Sequence, residues 1–311
     1  MKREILVQAY AKINLTLEIL SKREDGYHNI VSVMQSISLC DRIRVKTEPD
    51  GIFVECSCPG VPGGRDNLAY KAADRLKKVL GIKKGAWISI EKGIPSAAGL
   101  GGGSSDAAAV LRALNLLWKG GLSEEEFADL AKDVGADVPF FIRGGTALAQ
   151  GIGEKLKKLS PIPTLWFVLV KPSFGVSTKE IYEKFDSMEK DIKIRPSHGQ
   201  LLTALYRNDL ISAAPHMVNM LEGVTASLYP QVKDIMEVLS GEGCRKVLMC
   251  GSGPTVCGVV SSREEVFRIR QRLLKFNYPW KIYIARTVNY GSIIINRSKG
   301  GKIWEREDCR P

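Results

Sequence analysis

The chain has 311 residues, of which 44% are hydrophobic and 25% are charged. These are ordinary values for a globular protein, and the length is enough for about two domains with sizeable cores. Lys and Arg number 45 against 34 Asp and Glu, which gives a formal net charge of +11. That charge suits an anionic ligand such as a nucleotide, equally suits RNA, and also fits a merely solvated basic surface.

Other features exclude several classes of protein. The sequence contains no run of about 18 apolar residues, and the segment after Met1 lacks the apolar stretch of a signal peptide. We therefore expect a cytoplasmic protein with no membrane partner. The seven cysteines are odd in number and scattered, which favours free thiols in a reducing compartment. The three histidines lack ligand-like spacing, so we expect no metal site built from Cys and His.

The first predicted element is a strand. Residues 5–20 alternate loosely between apolar and polar side chains, which is typical of a half-buried strand. Lys12 and Asn14 share the polar parity, so we expect them side by side on one face. That face either lines a cleft or simply faces solvent, and this segment alone does not distinguish the two.

Strands and helices then alternate without a regular βαβ rhythm. The further predicted strands are a segment through Leu39, a hairpin of 42–48 with 51–56 around Pro49-Asp50-Gly51, and segments at 87–91, 140–149, 165–171, 246–249, 256–260 and 281–285. The predicted helices cover 67–80, 106–118, 124–134, 179–185, 200–206, 211–221, 231–239 and 264–274. This mixture predicts an α+β fold with two layers per domain.

A glycine-rich loop precedes the second predicted helix. Its glycines, at 99, 101, 102 and 103, let a ligand approach the backbone closely, and Ser104 or Ser105 could cap the helix. A glycine loop at a helix N-terminus favours an anion, because free amides and the helix dipole both attract negative charge. No Lys-Ser/Thr pair follows, so this is not a Walker motif, and the dinucleotide fingerprint is also absent. A plain flexible turn is the alternative.

A single carboxylate stands out after the third predicted helix. Ser123 to Glu126 form a capping-box signature at the start of that helix. Asp137 follows its C-terminal glycine and precedes Pro139, in a tight connection that could hold the carboxylate near the glycine loop. On local grounds a capping or turn role is the commoner one for such an Asp.

Three motifs together resemble those of the GHMP small-molecule kinases. They are Ala11-Lys-Ile-Asn-Leu15, Pro95-x3-Gly-Leu-Gly-Gly-Gly-Ser-Ser-Asp-Ala107 and Gly251-Ser-Gly-Pro-Thr255, and the similarity covers about residues 5–288. The extra glycine of the loop, Asp25-Gly-Tyr-His28 and Gly135-Ala-Asp-Val-Pro139 are similar to members that phosphorylate a cytidine-diphosphate-linked methylerythritol. Cys250 departs from the pattern, because many members have Ser there.

The resemblance implies a two-domain α+β fold. A ribosomal-S5-like N-terminal domain would span 1–160, a ferredoxin-like C-terminal domain 161–288, and an appendage 289–311. The implied reaction is transfer of the γ-phosphate of ATP, with Mg²⁺, to the 2-hydroxyl of the methylerythritol in the non-mevalonate isoprenoid pathway. The implied partner is this small molecule and not a nucleic acid, and the protein would be a monomer or a homodimer.

The resemblance also implies roles for individual residues. Lys12 and Asp137 would be the catalytic pair, with Asp137 as general base. The residues implied to bind ATP are Asn67, Pro95, Ala97, Ala98, Gly99, Leu100, Gly101, Gly102, Gly103, Ser104 and Ser105. Those implied to bind the cytidylyl substrate are Asn14, Tyr27, His28, Lys92 and Asp137. No position is assigned to the metal.

Two alternatives stay open. A kinase of the same superfamily acting on homoserine or mevalonate would share the three general motifs, but it has no reason to carry Tyr27 and His28 after the turn. An RNA-binding protein with an S5-like domain would explain the charge but not Lys12 together with Asp137. Basic residues are also poorly interleaved with aromatic ones, unlike in single-strand binders.

Overall fold

The computed structural model describes residues 4–58, 60–188 and 194–295. Within these ranges the chain forms an eight-stranded sheet and a four-stranded sheet. The strands are β1 (Glu4–Asn14), β2 (Glu18–Lys22), β3 (His28–Glu48), β4 (Ile52–Cys56), β5 (Gly85–Glu91), β6 (Thr146–Gly151), β7 (Lys155–Lys158), β8 (Trp166–Lys171), β9 (Lys246–Met249), β10 (Val256–Val260), β11 (Lys281–Arg286) and β12 (Ser292–Ile295).

Ten α-helices accompany the sheets in the described ranges. They are α1 (Leu68–Val79), α2 (Gly102–Trp118), α3 (Glu124–Val134), α4 (Val138–Arg143), α5 (Thr178–Met188), α6 (His198–Tyr206), α7 (Leu210–Ala213), α8 (Glu222–Leu228), α9 (Pro230–Gly241) and α10 (Arg263–Lys275). None of these helices has both the length and the apolar character needed to cross a membrane.

Strand β3 organises the first sheet. It is 21 residues long and pairs antiparallel with β1, β2, β5 and β6. Residues 32–41 of β3 are all buried, because helix α2 covers one face of the sheet and the second sheet covers the other. A continuous run of buried residues is what a strand covered on both faces requires.

The second sheet is antiparallel throughout, in the order β11-β8-β10-β9. One face joins the first sheet in a shared core that includes Ile37, Phe167 and Leu169. The opposite face packs against α5, α9 and α10 through residues such as Val168 and Ile269. The shared core therefore fixes the two sheets against each other.

The predicted hairpin of 42–48 with 51–56 is wrong. The chain does turn at 49–51, but β5 lies between the two segments, antiparallel to β3 and parallel to β4. Parallel strands need a long crossover, and α1 supplies it. The turn is encoded locally, whereas the insertion of a distant strand is not.

Helix boundaries differ from expectation in three places. Helix α2 begins at Gly102 with Gly101 as its N-cap, so Ser104 and Ser105 lie inside the helix and do not cap it. Residues 140–143, predicted as part of a strand, belong instead to α4, with Pro139 in its first turn. The predicted helix 211–221 is broken after α7, where a 3₁₀ turn contains a proline.

Part of the predicted appendage belongs to the first sheet. Strand β12 pairs antiparallel with β1, with Ile295 opposite Leu6. Its three consecutive isoleucines give this segment both strand propensity and apolar surface to bury. The stretches 299–302 and 304–308, which motivated the appendage, lie outside the described residues, and the boundary at 160/161 stays a prediction.

A buried ion cluster joins three elements of the first domain. The Lys92 ammonium, just after β5, lies 2.5 Å from Asp41 Oδ2 on β3 and 2.9 Å from Asp106 Oδ2 on α2. Asp41 Oδ1 also accepts hydrogen bonds from the backbone N–H groups of Gly93 and Ile94, at 2.7 and 2.8 Å. The cluster thus ties the chain that enters the glycine loop to both the sheet and the helix.

Two carboxylates share this one ammonium. Burial raises the pKa of Asp106 well above its usual range, and the charge of Asp41 adds to the effect while Lys92 opposes it. Burial alone would lower the pKa of Lys92, but the charges of Asp106 and Asp41 outweigh it and raise that pKa. The Lys92 ammonium therefore offsets the energetic cost of burying the two carboxylates.

We predict that Lys92→Met lowers the free energy of unfolding by about 3–5 kcal/mol at neutral pH, because it leaves buried carboxylates without a counter-charge. Burial already raises the pKa of Asp106, and without the ammonium that opposes this shift the folded-state pKa rises further above its unfolded value. The stability difference from wild type should therefore be small near pH 4 and grow as the pH rises through the raised pKa of Asp106. Urea unfolding at several pH values measures it.

Lys233→Met is the matched control. Lys233 also makes an ion pair, 3.7 Å from Glu237, but its side chain is 71% exposed. Its loss should change the unfolding free energy by no more than about 0.5 kcal/mol. Equal effects of the two substitutions would show that the buried cluster does not stabilise the fold.

Candidate active site

A cleft of about 1060 Å³ lies between the domain that contains the first sheet and the domain that contains the second sheet. It is lined by the end of β1, the glycine loop, the start of α2 and the turn that carries Asp137. Helix α5 and residues 251–252 line it from the second domain. All the residues implied to bind ATP or substrate line this cleft except Ser105.

The glycine loop, residues 94–103, is held in place on its β1 side. Gly99 and Gly101 have φ values of +74° and +72°, which favour glycine. The backbone N–H of Lys12 donates to Leu100 O at 3.1 Å. Ser105 is fully buried, and its hydroxyl donates to Tyr10 O at 2.7 Å. Ser105 therefore anchors α2 to β1, and its hydroxyl is not turned to the cleft.

On its other side the loop meets the second glycine turn, residues 250–255. A Cβ built on Gly99 would lie 1.9 Å from Cys250 O, so only glycine permits this approach. The side-chain amide of Asn219 donates to Gly251 O at 2.7 Å and thereby braces the turn. The backbone makes these contacts, which explains why Cys is accepted at position 250.

Lys12 and Asp137 meet at the centre of the cleft. The Lys12 ammonium donates to Asn14 Oδ1 at 2.7 Å and lies 3.7 Å from Asp137 Oδ2. Asn14 is held in turn, because its amide donates to Ser32 Oγ at 2.7 Å. Lys12 is almost fully buried, whereas the Asp137 side chain is 34% exposed. A fixed ammonium next to an accessible carboxylate can neutralise a transferring anion while the carboxylate accepts a proton.

Tyr27 and His28 lie at another part of the same cleft. Tyr27 is 60% exposed, whereas His28 is buried. The Nε2 of His28 is 2.6 Å from Asp186 Oδ1 on α5, and the ring packs against Tyr182 with centroids 5.0 Å apart. The start of β3 and helix α5 thus form this end of the cleft together.

Two of the implied binding residues also have structural partners. Asn67 is the N-cap of α1, where its Oδ1 accepts from the backbone N–H of Ala69 at 2.8 Å. The Lys92 ammonium lies at the head of α2, 3.2 Å from a Cβ built on Gly102, and also lines the cleft. The implied contact of Lys92 with the cytidylyl substrate stays a prediction.

Sequence reasoning missed several polar or aromatic groups of the cleft. Among them are Lys22, Asp106, Tyr182 and Asp186. Asp106 stood inside the recognised motif. The predicted helix 179–185 contains Tyr182 but ends before Asp186, whereas the observed α5 continues to Met188 and brings both residues to one face by their i, i+4 spacing. Only the tertiary fold shows that this face meets His28.

Comparison with known proteins agrees with this architecture. The family model for the GHMP kinases N terminal domain matches residues 67–145, and the one for the GHMP kinases C terminal region matches residues 201–279. A 4-diphosphocytidyl-2-C-methyl-D-erythritol kinase of Moorella thermoacetica is 45% identical over 285 residues, which is 91% of this chain and 99% of that protein. One from Clostridium botulinum is 42% identical over 283 residues, with the same coverage.

Solved structures agree as well. A crystal structure of 4-(cytidine 5'-diphospho)-2C-methyl-D-erythritol kinase has a TM-score of 0.77 at 35% identity and covers 92% of this chain and 99% of its own. Homoserine kinase from Cytophaga hutchinsonii, at 19% identity, a TM-score of 0.74 and coverage of 95% and 98%, shares the fold. The predicted two-domain α+β fold is confirmed. The chain belongs to the GHMP kinase family.

Proposed function

We propose that this protein transfers the γ-phosphate of ATP to the 2-hydroxyl of 4-diphosphocytidyl-2-C-methyl-D-erythritol, within the non-mevalonate route to isoprenoids. The observation that carries the proposal is the single cleft that joins a glycine loop, the Lys12 and Asp137 pair, and the Tyr27 and His28 end. Relatives that bear the name of this kinase, at 42–45% identity over most of the chain, support it.

The glycine loop and the head of α2 would bind the ATP phosphates. Gly102 and Gly103 open the helix and line the cleft, so their backbone amides meet the ligand without intervening side chains. The first amides of a helix lack partners within it, and the helix dipole adds positive potential there. The formal charge of +11 would attract both anionic substrates toward the protein.

The chemical step needs positioning and charge neutralisation more than covalent help. The substrate hydroxyl oxygen would attack the γ-phosphorus while the bond from that phosphorus to the ADP oxygen breaks. The Asp137 carboxylate would take the hydroxyl proton, and the Lys12 ammonium would stabilise the negative charge of the phosphoryl group. The hydrogen bond to Asn14 keeps that ammonium in place.

The donor set of the cleft fits a Mg²⁺ ion carried by the nucleotide. Among the described residues no group of three or more His, Cys, Asp and Glu could hold a metal ion by itself. Kinase Mg²⁺ needs only one or two carboxylates in addition to phosphates. Asp106 Oδ1, which is buried and lacks a hydrogen-bond partner in the described part of the chain, would be the protein ligand. When bound, the ion would neutralise phosphate charge.

The Tyr27 and His28 end would bind the cytidine. Tyr27 offers an exposed aromatic face for stacking, and His28 offers a ring nitrogen for a hydrogen bond. We propose that the substrate is a small molecule rather than a nucleic acid, and that the protein acts in the cytoplasm as a monomer or a homodimer.

ADP release measured separately with the cytidylyl substrate, homoserine, mevalonate and RNA tests the proposal. Turnover with any of the last three and not with the first would overturn it.

For the catalytic pair, Asp137→Asn keeps the side-chain shape but removes the negative proton acceptor. We predict that kcat falls by about 10² to 10⁴, while both KM values change little. Steady-state rates measure this, with the fold checked by circular dichroism. Asp129→Asn is the matched control, because Asp129 is an exposed carboxylate that pairs with Lys132 outside the cleft. Wild-type turnover in folded Asp137→Asn would remove this residue from the mechanism.

A double variant tests whether Lys12 and Asp137 act as a unit. Lys12→Met alone should lower kcat severely. If the two groups work on the same transition state, the double variant should lose much less than the product of the two single losses. Strictly multiplicative losses in kcat would show instead that the two residues act independently.

For the phosphate site, we predict that Gly103→Val raises the dissociation constant of ATP about tenfold or more, which is at least about 1.4 kcal/mol. A Cβ at Gly103 meets only Leu68 Cδ1, at 3.5 Å, so the fold should survive. Gly102 is less suitable, since its Cβ would crowd Ile94 and Lys92 at 3.1 and 3.2 Å. Calorimetric titration with a non-hydrolysable ATP analogue measures the affinity.

Gly223→Val is the control for this substitution. Gly223 is also an exposed glycine near a helix start, and nothing lies within 4 Å of its added Cβ. The control should leave nucleotide affinity at the wild-type value. Unchanged affinity in a folded Gly103→Val variant would place the phosphates elsewhere.

A further inference from the structure

We propose that Asp186 is a positioning residue that fixes the ring tautomer of His28, so that His28 selects cytosine over uracil. The inference rests on the proposed function, because it concerns the base of the same substrate. It adds a source of specificity from the second domain, since Asp186 belongs to α5.

The first step is the direction of the hydrogen bond between the two side chains. His28 Nε2 and Asp186 Oδ1 are 2.6 Å apart, and the His28 side chain is only 5% exposed. An ionised carboxylate can only accept, so the proton of this bond resides on Nε2. Such charge-assisted bonds are strong, which biases the buried ring toward this tautomer.

Asp186 is held ionised by a second contact. The Lys22 ammonium donates to Asp186 Oδ2 at 2.6 Å, so the two oxygens of the carboxylate serve different donors. Partial burial would raise the pKa of Asp186, but the hydrogen bonds from Lys22 and His28 outweigh it and hold that pKa below its usual value. The carboxylate therefore remains an acceptor for Nε2 at neutral pH.

The orientation of the ring is fixed as well. Tyr182 packs against it at 5.0 Å with an angle of 34°, and Phe185 meets it edge-on at 6.2 Å. Both rings belong to the helix that carries Asp186. One helix therefore sets the position, the tilt and the protonated nitrogen of His28.

The consequence concerns the other ring nitrogen. In a neutral imidazole with the proton on Nε2, Nδ1 is an acceptor, and no residue in the described ranges donates to it. Cytosine presents a donating exocyclic amine on its pairing edge, whereas uracil presents an accepting carbonyl oxygen at that position. An Nδ1 acceptor therefore bonds to cytosine and opposes the uracil oxygen with its own lone pair.

A purely structural role is the competing explanation, because the contacts of Asp186 also tie α5 to β2 and β3. The two explanations differ in the readout. A structural tie would weaken stability and the use of both bases alike. If Asp186 fixes the tautomer of His28, its removal changes the ratio of the kcat/KM values for the cytidylyl and uridylyl substrates and leaves the KM of ATP unchanged.

The experiment compares wild type with Asp186→Ala and Asp186→Asn, using the cytidylyl substrate and its uridylyl analogue. Asp186→Ala should lower the cytidine-over-uridine ratio of kcat/KM about 10- to 100-fold, because the ring can then present either nitrogen as a donor. Asp186→Asn should restore most of the ratio, since its amide oxygen still accepts from Nε2. Asp74→Ala, which removes a carboxylate paired with Lys78 on α1, should leave the ratio unchanged.

Nitrogen-15 NMR of His28 in the ligand-free protein gives a readout that is independent of turnover. We expect a protonated Nε2 and an unprotonated Nδ1 in wild type, and a mixture of tautomers in Asp186→Ala. A protonated Nδ1 in wild type, or an unchanged base ratio in folded Asp186→Ala, would overturn the inference. If wild type does not phosphorylate the cytidylyl substrate at all, the proposed function fails first, whatever the NMR shows.

Discussion

The bond of one buried ammonium to two carboxylates underlies the geometry of the cleft. Lys92 connects strand β3, the chain leaving β5 and helix α2, and the glycine loop lies directly between the last two. This loop contains Gly99 and Gly101 and runs into Gly102 and Gly103 of α2, and glycines give an unsupported segment high conformational freedom. The cluster fixes both ends of the loop, so its amides stay in place before a ligand arrives.

The glycine loop and the second glycine turn, residues 250–255, join the two domains next to the space that a ligand must occupy. At Gly99 and Cys250 the backbones touch without intervening side chains. This contact leaves the rest of the interface free to open into the cleft, with Lys12 and Asp137 on the first domain and Tyr182 and Asp186 on the second. Groups from both domains thus line the same cleft.

How much the sequence could predict depends on how local each signal is. The capping box at Ser123, the helix after the glycine loop and the turn at 49–51 are encoded within a few residues, and all three exist. The resemblance pointed to Lys12 and Asp137, which lie 3.7 Å apart although they are distant in sequence. The insertion of β5, the partnership of Asp186 with His28 and the pairing of β12 depend on contacts between distant segments. Hydrophobic periodicity and secondary-structure propensity are local properties of the sequence and do not indicate which distant segments pair.

The pairing of β12 with β1 bears on how the protein is made. The first sheet contains the earliest and the latest strands of the described chain, whereas β8 to β11 of the second sheet all lie between them. A ribosome delivers strands in chain order, so the second sheet can be complete while one edge of β1 still waits for its partner. An open strand edge is a template for pairing with other chains. The nascent protein therefore depends on β12 to cover an edge of β1 that stays open until residues 292–295 have been made.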